Sequence, residues 1–180
     1  MITNKIRAIF NPELYHGLGK QKSFFEGWYY KIISKDKKKS FAIIPGIAMD
    51  KEGKKQSFIQ ILDGQKLSAK YLKFDVDLFR ANSKKLEIII DSNKFEYNKI
   101  HLENPEIKGD IAFNKQIPWP NSWYSPGIMG PFTFVPFMEC YHGILSMDHQ
   151  IQGELEIFGE RIDFSGGRGY MEKDWGRSFP

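Results

Sequence analysis

The sequence has little cysteine, since Cys140 is the only one among 180 residues. One thiol can form neither an internal disulfide nor a multi-cysteine zinc cluster, which excludes a disulfide-stapled scaffold and a zinc finger. The sequence also lacks a run of roughly 20 apolar residues, the length that a membrane-spanning helix needs. Residues 1–12 lack the apolar core of a signal peptide. These absences predict a soluble, cytoplasmic protein without an integral membrane segment.

Helical periodicity is scarce as well. Gln65–Leu72 is predicted at most as one or two helical turns, and no longer 3.6-residue pattern occurs. Short segments rich in β-branched and aromatic residues alternate with turn signals, which is the strand and hairpin signature. They predict an all-β fold, an antiparallel β-barrel that is closed or nearly closed, because closure removes exposed sheet edges. The predicted strands are Phe24–Ser34, Ser40–Ile47, Ser57–Leu62, Lys70–Phe79, Lys85–Asp91, Lys94–Leu102, Glu106–Asn114, Glu139–Asp148, Gln150–Phe158, Arg161–Phe164 and Gly167–Trp175.

Aromatic residues are plentiful, with 15 Phe, 8 Tyr and 4 Trp. Each of them buries a large surface, so together they can supply a deep core. After Asn114 the sequence becomes a long irregular segment crowded with proline and glycine, and it includes Trp119 and Trp123. Long loops in compact domains commonly cover or build a site. We therefore expect this segment to be either a lid over a site or a plug at an open barrel end.

Charge is unevenly distributed along the chain. Residues 1–100 contain 20 Lys/Arg and 11 Asp/Glu, whereas residues 101–180 contain 6 and 11. A basic half is compatible with a nucleic-acid face, but the lysines occur in short bursts at expected turns, as at residues 37–39 and 54–55. Solvated loop tips explain this pattern better, and we predict no nucleic-acid partner.

Two tryptophan-centred strings go beyond composition. The first is Tyr15-His16-Gly17 followed by FFEGWYY at residues 24–30, and the second is GGRGYMEKDWGRSFP at residues 166–180. Together with Gly153–Phe164, they resemble the tocopherol cyclase family. The resemblance implies a lipocalin-like β-barrel and, from the plant members, closure of a prenylated hydroquinol into a chromanol ring. Because the family's cyclases are longer and carry a second barrel-like half, it also implies that residues 1–180 are a single barrel domain, the N-terminal half of a two-barrel protein.

Cyclising a prenyl hydroquinol needs three kinds of group. The proton donor should be a carboxylic acid that an apolar site keeps neutral. The tertiary cation that forms on protonation is stabilised by aromatic faces, which cannot capture it. The phenol needs an acceptor, either a carboxylate or a neutral imidazole. The expected partner is thus a small apolar prenylated aromatic or lipid ligand, and no cofactor is expected.

The first string supplies candidate binding residues. Alternate side chains of a strand share a face, so Glu26, Trp28 and Tyr30 are predicted to form one polar and aromatic pocket wall. In the alternative interpretation, Trp28 closes the bottom of the barrel and Glu26 pairs with an arginine such as Arg168 or Arg177.

The second string supplies candidate acids. The same alternation groups Arg168, Tyr170, Glu172 and Asp174 on one face, opposite Trp175. Two carboxylates so placed would tend to share one proton in a dry site. The resemblance favours Glu172 as the acid, because the plant members have Asn at the position of Asp174; Tyr170 and Trp175 would contact the substrate. Alternatively, Glu172 and Arg168 form an exposed ion pair on the outer wall.

The strand that begins near residue 139 supplies candidate acceptors. His142 and Asp148 have the same parity, so both are predicted to face the lumen while His149 faces outward. Either could accept the phenol proton, and His16 of the first string is a further candidate. A metal site built from His142, Asp148 and His149 would use suitable ligand types, but their spacing matches no ligand signature, and we predict no metal.

Two other functions fit the same pocket. One is a non-catalytic carrier of a lipid, quinone or pigment, and the other is an enzyme that hydrates an isoprenoid double bond. In each case Trp123 of the long loop is a candidate substrate contact. Contact with a membrane surface and formation of a homodimer are further expectations that the sequence leaves open.

Overall fold

The chain folds into one twelve-stranded antiparallel sheet in a computed structural model, which describes residues 7–136 and 138–178. The prediction of an all-β antiparallel fold is confirmed. Many strands alternate buried with more exposed side chains, the pattern of a sheet that packs one face on a core. The strands are β1 Phe24–Ile33, β2 Ser40–Met49, β3 Lys55–Asp63, β4 Ser68–Phe74, β5 Phe79–Ala81, β6 Glu87–Ile90, β7 Asn93–Glu96, β8 Lys99–Asn104, β9 Ile107–Asn114, β10 Cys140–Ile157, β11 Glu160–Asp163 and β12 Arg168–Gly176.

The sheet curls without closing. Its strand order is β4-β3-β2-β1-β12-β10-β9-β8-β7-β6-β5, and β11 pairs with β10. The two edge strands, β4 and β5, are joined through the 3₁₀ turn Val76–Leu78, so the edges approach each other where the chain crosses between them. β5 has only three residues, and it does not pair with β4 in the described part of the chain. The barrel is thus open along one seam.

Apolar side chains fill the inside of the curled sheet. Trp28, Tyr30, Phe95, Phe113 and Phe164 are all fully buried there, among isoleucines from most strands. The Tyr30 ring packs against Phe95 and Phe113, with ring centroids 5.8 and 5.9 Å away. Burial of such a side chain contributes about 1.5–3 kcal/mol to stability. The interior is therefore a packed core.

Several predicted elements differ from the structure. The strand predicted over Lys70–Phe79 ends at Phe74, and the 3₁₀ turn Val76–Leu78 separates it from β5. The strand predicted over Lys94–Leu102 is two strands, β7 and β8, because the chain reverses at residues 97–98 without the glycine or proline that usually marks a turn. The strands predicted before and after His149 are the single strand β10, in which two register shifts replace the expected break. The helical turns predicted over Gln65–Leu72 are wrong: the Asp63 carboxylate accepts backbone N–H groups of the next residues and fixes a tight turn into β4.

The long irregular segment lies against the residues that precede β1. Residues 115–139 connect β9 to β10 and contain the 3₁₀ turn Gly130–Phe134. The Asn121 side-chain amide donates to the Phe10 carbonyl at 2.7 Å, and the Phe134 ring meets the Phe10 ring edge-on at 6.0 Å. Within the described part of the chain, no helix combines the length and the apolar character needed to cross a membrane.

Candidate functional site

The two tryptophan-centred strings become neighbouring strands. β1 pairs with β12, and the register places Glu26 opposite Trp175 and Trp28 opposite Lys173. Segments far apart in the sequence therefore build one continuous surface on each side of the sheet. Phe179 and Pro180, at the end of the second string, lie outside the described residues.

On the inner side, the strings form a buried charged cluster. The Lys173 ammonium donates to Glu26 Oε1 at 2.7 Å and to the Leu14 carbonyl, and it lies 2.8 Å from His16 Nδ1. Lys173 and Glu26 are fully buried, and the ammonium lies 4.7 Å from the Trp175 ring centroid, a cation–π distance. Burial alone would raise the pKa of Glu26, but the Lys173 charge holds it below its ordinary value. The partner of Glu26 is thus Lys173 and not an arginine.

The candidate acids lie on the opposite, outer side of the sheet. Along β12, Tyr170, Glu172 and Asp174 alternate with buried inward residues, as their shared parity predicted. Trp28 and Tyr30 belong to the interior with less than 2% of their surface exposed, so they do not meet Glu172 across a common pocket. The pocket wall expected from the first string is instead part of the packed core.

Four outer side chains form a hydrogen-bonded cluster. The register places His142 of β10 opposite Asp174 of β12, and His142 Nδ1 lies 2.7 Å from Asp174 Oδ1. His142 Nε2 lies 3.5 Å from Glu172 Oε2, and the Tyr170 hydroxyl donates to the same Glu172 oxygen. His142 is held between two carboxylates, and one of these carboxylates also binds a phenol. We call these four residues the acid–base cluster.

The cluster shifts the proton affinities of its members. The hydrogen bond to Asp174 raises the pKa of His142 above 6.5 and outweighs the opposing effect of partial burial. Burial raises the pKa of Tyr170, and the hydrogen bond to Glu172 raises it further. The Tyr29 phenol, opposite Glu172 on β1, has its pKa raised by burial and by the same carboxylate. The imidazole therefore holds its proton more tightly than a free histidine, and both phenols stay neutral.

An apolar groove of about 860 Å³ runs over the outer face beside the cluster, and both Glu172 and Asp174 line it. Gly27 lines it, and an added Cβ there would have its nearest neighbour 3.7 Å away. The Phe58 ring covers Gly46, since a Cβ on that glycine would lie 2.3 Å from the ring. The apolar and aromatic side chains along the groove are Phe24, Phe25, Tyr29, Ile44, Ala48, Met49, Phe58, Leu62 and Tyr71.

Other predicted site residues lie elsewhere. Asp148 faces outward and pairs with Arg168, so neither takes part in the acid–base cluster. The Glu172–Arg168 pair of the alternative interpretation does not form among the described residues. His149 is the inward residue, 1% exposed, with Nδ1 3.0 Å from the Ser146 hydroxyl. The prediction that His142 and Asp148 face the lumen and His149 faces out is therefore reversed, because the interior lies on the other side of β10.

The long loop is separate from the groove. Trp123 is 81% exposed, and in the part of the chain that the structure describes, no residue of 115–139 lines the groove. The loop is thus not a lid over this site. His142, Asp148 and His149 do not converge, and residues 7–136 and 138–178 contain no cluster of His, Cys, Asp and Glu that could hold a metal ion.

Sequence reasoning missed the groove and the role of Lys173. A usable signal for the groove lies in β2 and β3, where side chains of both parities are apolar, as in Ile43-Ile44 and Ile61-Leu62. A strand that is apolar on both faces indicates that something covers both faces. Lys173 offered no such signal, because lysine is rarely buried without a partner and its partner comes from the other string.

Comparison with known proteins identifies the fold. No family model matches the chain, and no curated protein matches it. An AttH-like protein of Nitrosomonas europaea matches 86% of this chain and 52% of its own, at 12% identity and a TM-score of 0.51. CghA, in a structure with Sch210972, matches 86% of this chain and 46% of its own, at 11% identity and a TM-score of 0.53.

The chain spans about half the length of these solved structures. At such low identity, the likeness shows the fold alone, and none of the comparisons names tocopherol cyclase. It confirms the predicted lipocalin-like antiparallel architecture, here with an open seam.

Proposed function

We propose that the outer groove binds an apolar isoprenoid or prenylated aromatic ligand and that the acid–base cluster transfers a proton to it. The observation that carries the proposal is the position of Glu172 and Asp174, which line an apolar groove while hydrogen bonding to Tyr170 and His142. Carboxylates beside apolar surface, coupled to an oriented histidine, are the parts that general acid–base catalysis requires. The resemblance of the two strings to tocopherol cyclases gives the same reaction class.

In the cyclase form of the reaction, the proton that His142 holds passes to Glu172 across the 3.5 Å gap, and Glu172 delivers it to a trisubstituted alkene, which leaves a tertiary cation. The ligand's phenol oxygen attacks that cation, and the phenol proton passes to His142, which Asp174 orients and whose protonated form it stabilises. This transfer restores the cluster, so the net change is an isomerisation. The aromatic faces available to the cation in the groove are those of Phe25, Tyr29 and Phe58, among others.

The test supplies dimethylphytyl hydroquinol to the wild-type protein and detects chromanol by mass spectrometry. Glu172→Gln should lower the rate by a factor of about 100 or more, because it removes the proton donor. Glu154→Gln is the matched control, since Glu154 is an exposed carboxylate that pairs with Arg161 away from the groove. Absence of any product from well-folded wild-type protein would overturn the cyclase form of the proposal.

Two alternatives give different outcomes in the same assay. A hydratase uses water in place of the phenol, so the mass of its product exceeds that of the substrate by one water molecule, whereas cyclisation leaves the mass unchanged. A carrier binds the ligand and returns it unchanged. Gly27→Val tests the groove for the cyclase, the hydratase and the carrier alike, because Gly27 lines the groove and an added Cβ there makes only ordinary van der Waals contacts, at 3.7 Å or more. Binding should weaken while the melting temperature stays near that of the wild type.

A further inference from the structure

One row of residues crosses the whole groove. The strand registers align His142 with Asp174, Asp174 with Gly27, Gly27 with Gly46, Gly46 with Phe58, and Phe58 with Lys73. Of these, Asp174, Gly27, Phe58 and Lys73 line the groove. At about 4.8 Å between neighbouring strands, the four steps from Asp174 to Lys73 span about 19 Å across the sheet. The groove therefore has a proton-transfer side and a lysine side.

The lysine side is built to accept a negative charge. Lys73 lies there and makes no ion pair with a carboxylate among the described residues. Lys54, Lys55 and Asp50 also line the groove, at the turn between β2 and β3. The Asp50 carboxylate accepts the Lys54 backbone N–H at 2.7 Å, and the Lys55 ammonium donates to the Gln21 side-chain oxygen.

Tyr71 adds a neutral donor at the same side. Its hydroxyl oxygen accepts a hydrogen bond from the Gln56 amide at 3.1 Å, which leaves its O–H proton for another acceptor. The Tyr71 ring stacks on Phe58, with centroids 5.1 Å apart, so the donor is held at the edge of the apolar floor. A ligand oxygen near Lys73 would thus meet ammonium and phenol donors together.

We propose that the ligand carries an anionic group, a carboxylate or phosphate, which Lys73 binds while the apolar chain lies across Gly27 toward Asp174. This inference rests on the proposed function, because it assigns the two ends of the same groove. An anion at this side also lies away from the carboxylates of Glu172 and Asp174, which would repel it.

The test measures by calorimetry how tightly the protein binds geranylgeranoic acid and the uncharged geranylgeraniol. Geranylgeranyl monophosphate is measured in the same way and distinguishes a phosphate site from a carboxylate site. The wild type should bind at least one of the two anions about ten-fold more tightly than the alcohol. Lys73→Gln should remove this advantage. Lys70→Gln is the matched control, because Lys70 lies on the same strand with the opposite parity and pairs with Glu106.

The possible failures are distinguishable. Suppose that Gly27→Val weakens binding of the alcohol. If the wild type then binds neither anion more tightly than the alcohol, or if Lys73→Gln still binds an anion more tightly, the anion inference is wrong and the groove proposal stands. If the wild type binds none of the three probes, or Gly27→Val weakens none of them, the groove is not the binding site and both proposals are overturned.

Discussion

Lys173 has no exposed surface, yet its charge holds together three parts of the chain. It joins Glu26 of β1, the backbone of Leu14 and the His16 ring, which itself stacks on Trp175 at 4.1 Å. A buried charge with so many partners is a structural anchor for the segment that leads into β1. The buried Lys173–Glu26 ion pair also explains why charged residues occur in both strings, since each string supplies one member of the pair.

Replacing Lys173 with Met should lower the free energy of unfolding by about 3–5 kcal/mol, because the substitution leaves Glu26 buried without its counter-charge. Urea denaturation measures the change. Lys31→Met, on the outer face of β1, is the control, and it should change stability by less than about 0.5 kcal/mol. The double variant Glu26→Gln/Lys173→Met should be more stable than Lys173→Met alone. A cost below about 1 kcal/mol for Lys173→Met would contradict the anchor role.

His142 should titrate above its ordinary pKa of 6.5, because Asp174 stabilises the imidazolium. Since this pKa is raised on folding, the stability that His142 contributes is full below pH 6.5 and disappears as the pH rises through the folded value. NMR titration of the imidazole signals measures the shift, and Asp174→Asn should lower it. His149 is the internal control, because burial alone lowers its pKa to about 4 and Asp174→Asn should not move it. An unchanged His142 pKa in the variant would show that the pair is not formed.

Element by element, the strands were predictable where turn signals separate them. The bounds of β1, β2 and β12 lie within two residues of the prediction, because glycine, proline and lysine-rich turns mark their ends. The extent of β10 was not predictable, because this 18-residue strand contains two register shifts that no feature of its sequence marks. Alternation predicted which residues share a face, but not which face is inside, because β12 has charged side chains at both parities. Lys173 faces inward beside Met171 and Trp175, and Glu26 of the partner strand pairs with it there.

The glycines of β12 and β1 should respond differently to an added methyl group. At Gly169 a Cβ would lie 2.1 Å from His149 Nε2 and 2.9 Å from the Lys31 carbonyl oxygen, whereas at Gly27 the nearest atom is 3.7 Å away. The His149 ring packs against Phe113 at 4.7 Å and has little room to move. Gly169→Ala should therefore cost about 1–3 kcal/mol, and Gly27→Ala should be close to neutral. Thermal unfolding compares them; equal melting temperatures would show that β12 and β10 are not packed as described.

At the scale of the whole molecule, the curled sheet has its core inside and its groove outside. The interior could be predicted from the aromatic content, since 15% of residues are aromatic and the core needs them. The sequence of β2 and β3 indicates that their outer face is covered, but the residues that form the outer groove could not be predicted, because they depend on register. Strands β12, β1, β2, β3 and β4 must align before two glycines, a phenylalanine and two carboxylates form one surface. That the chain is one half of a two-barrel protein stays a prediction.

The most direct test of the outer groove uses two adjacent isoleucines of β2 that face opposite sides of the sheet. Ile44 lines the groove, and Ile43 is fully buried in the core. In a methyl-labelled sample titrated with geranylgeraniol, the Ile44 methyl signals should shift and the Ile43 signals should stay in place. Shifts at Ile43 and the equally buried Ile59, with Ile44 unchanged, would place the ligand inside the barrel and contradict the account.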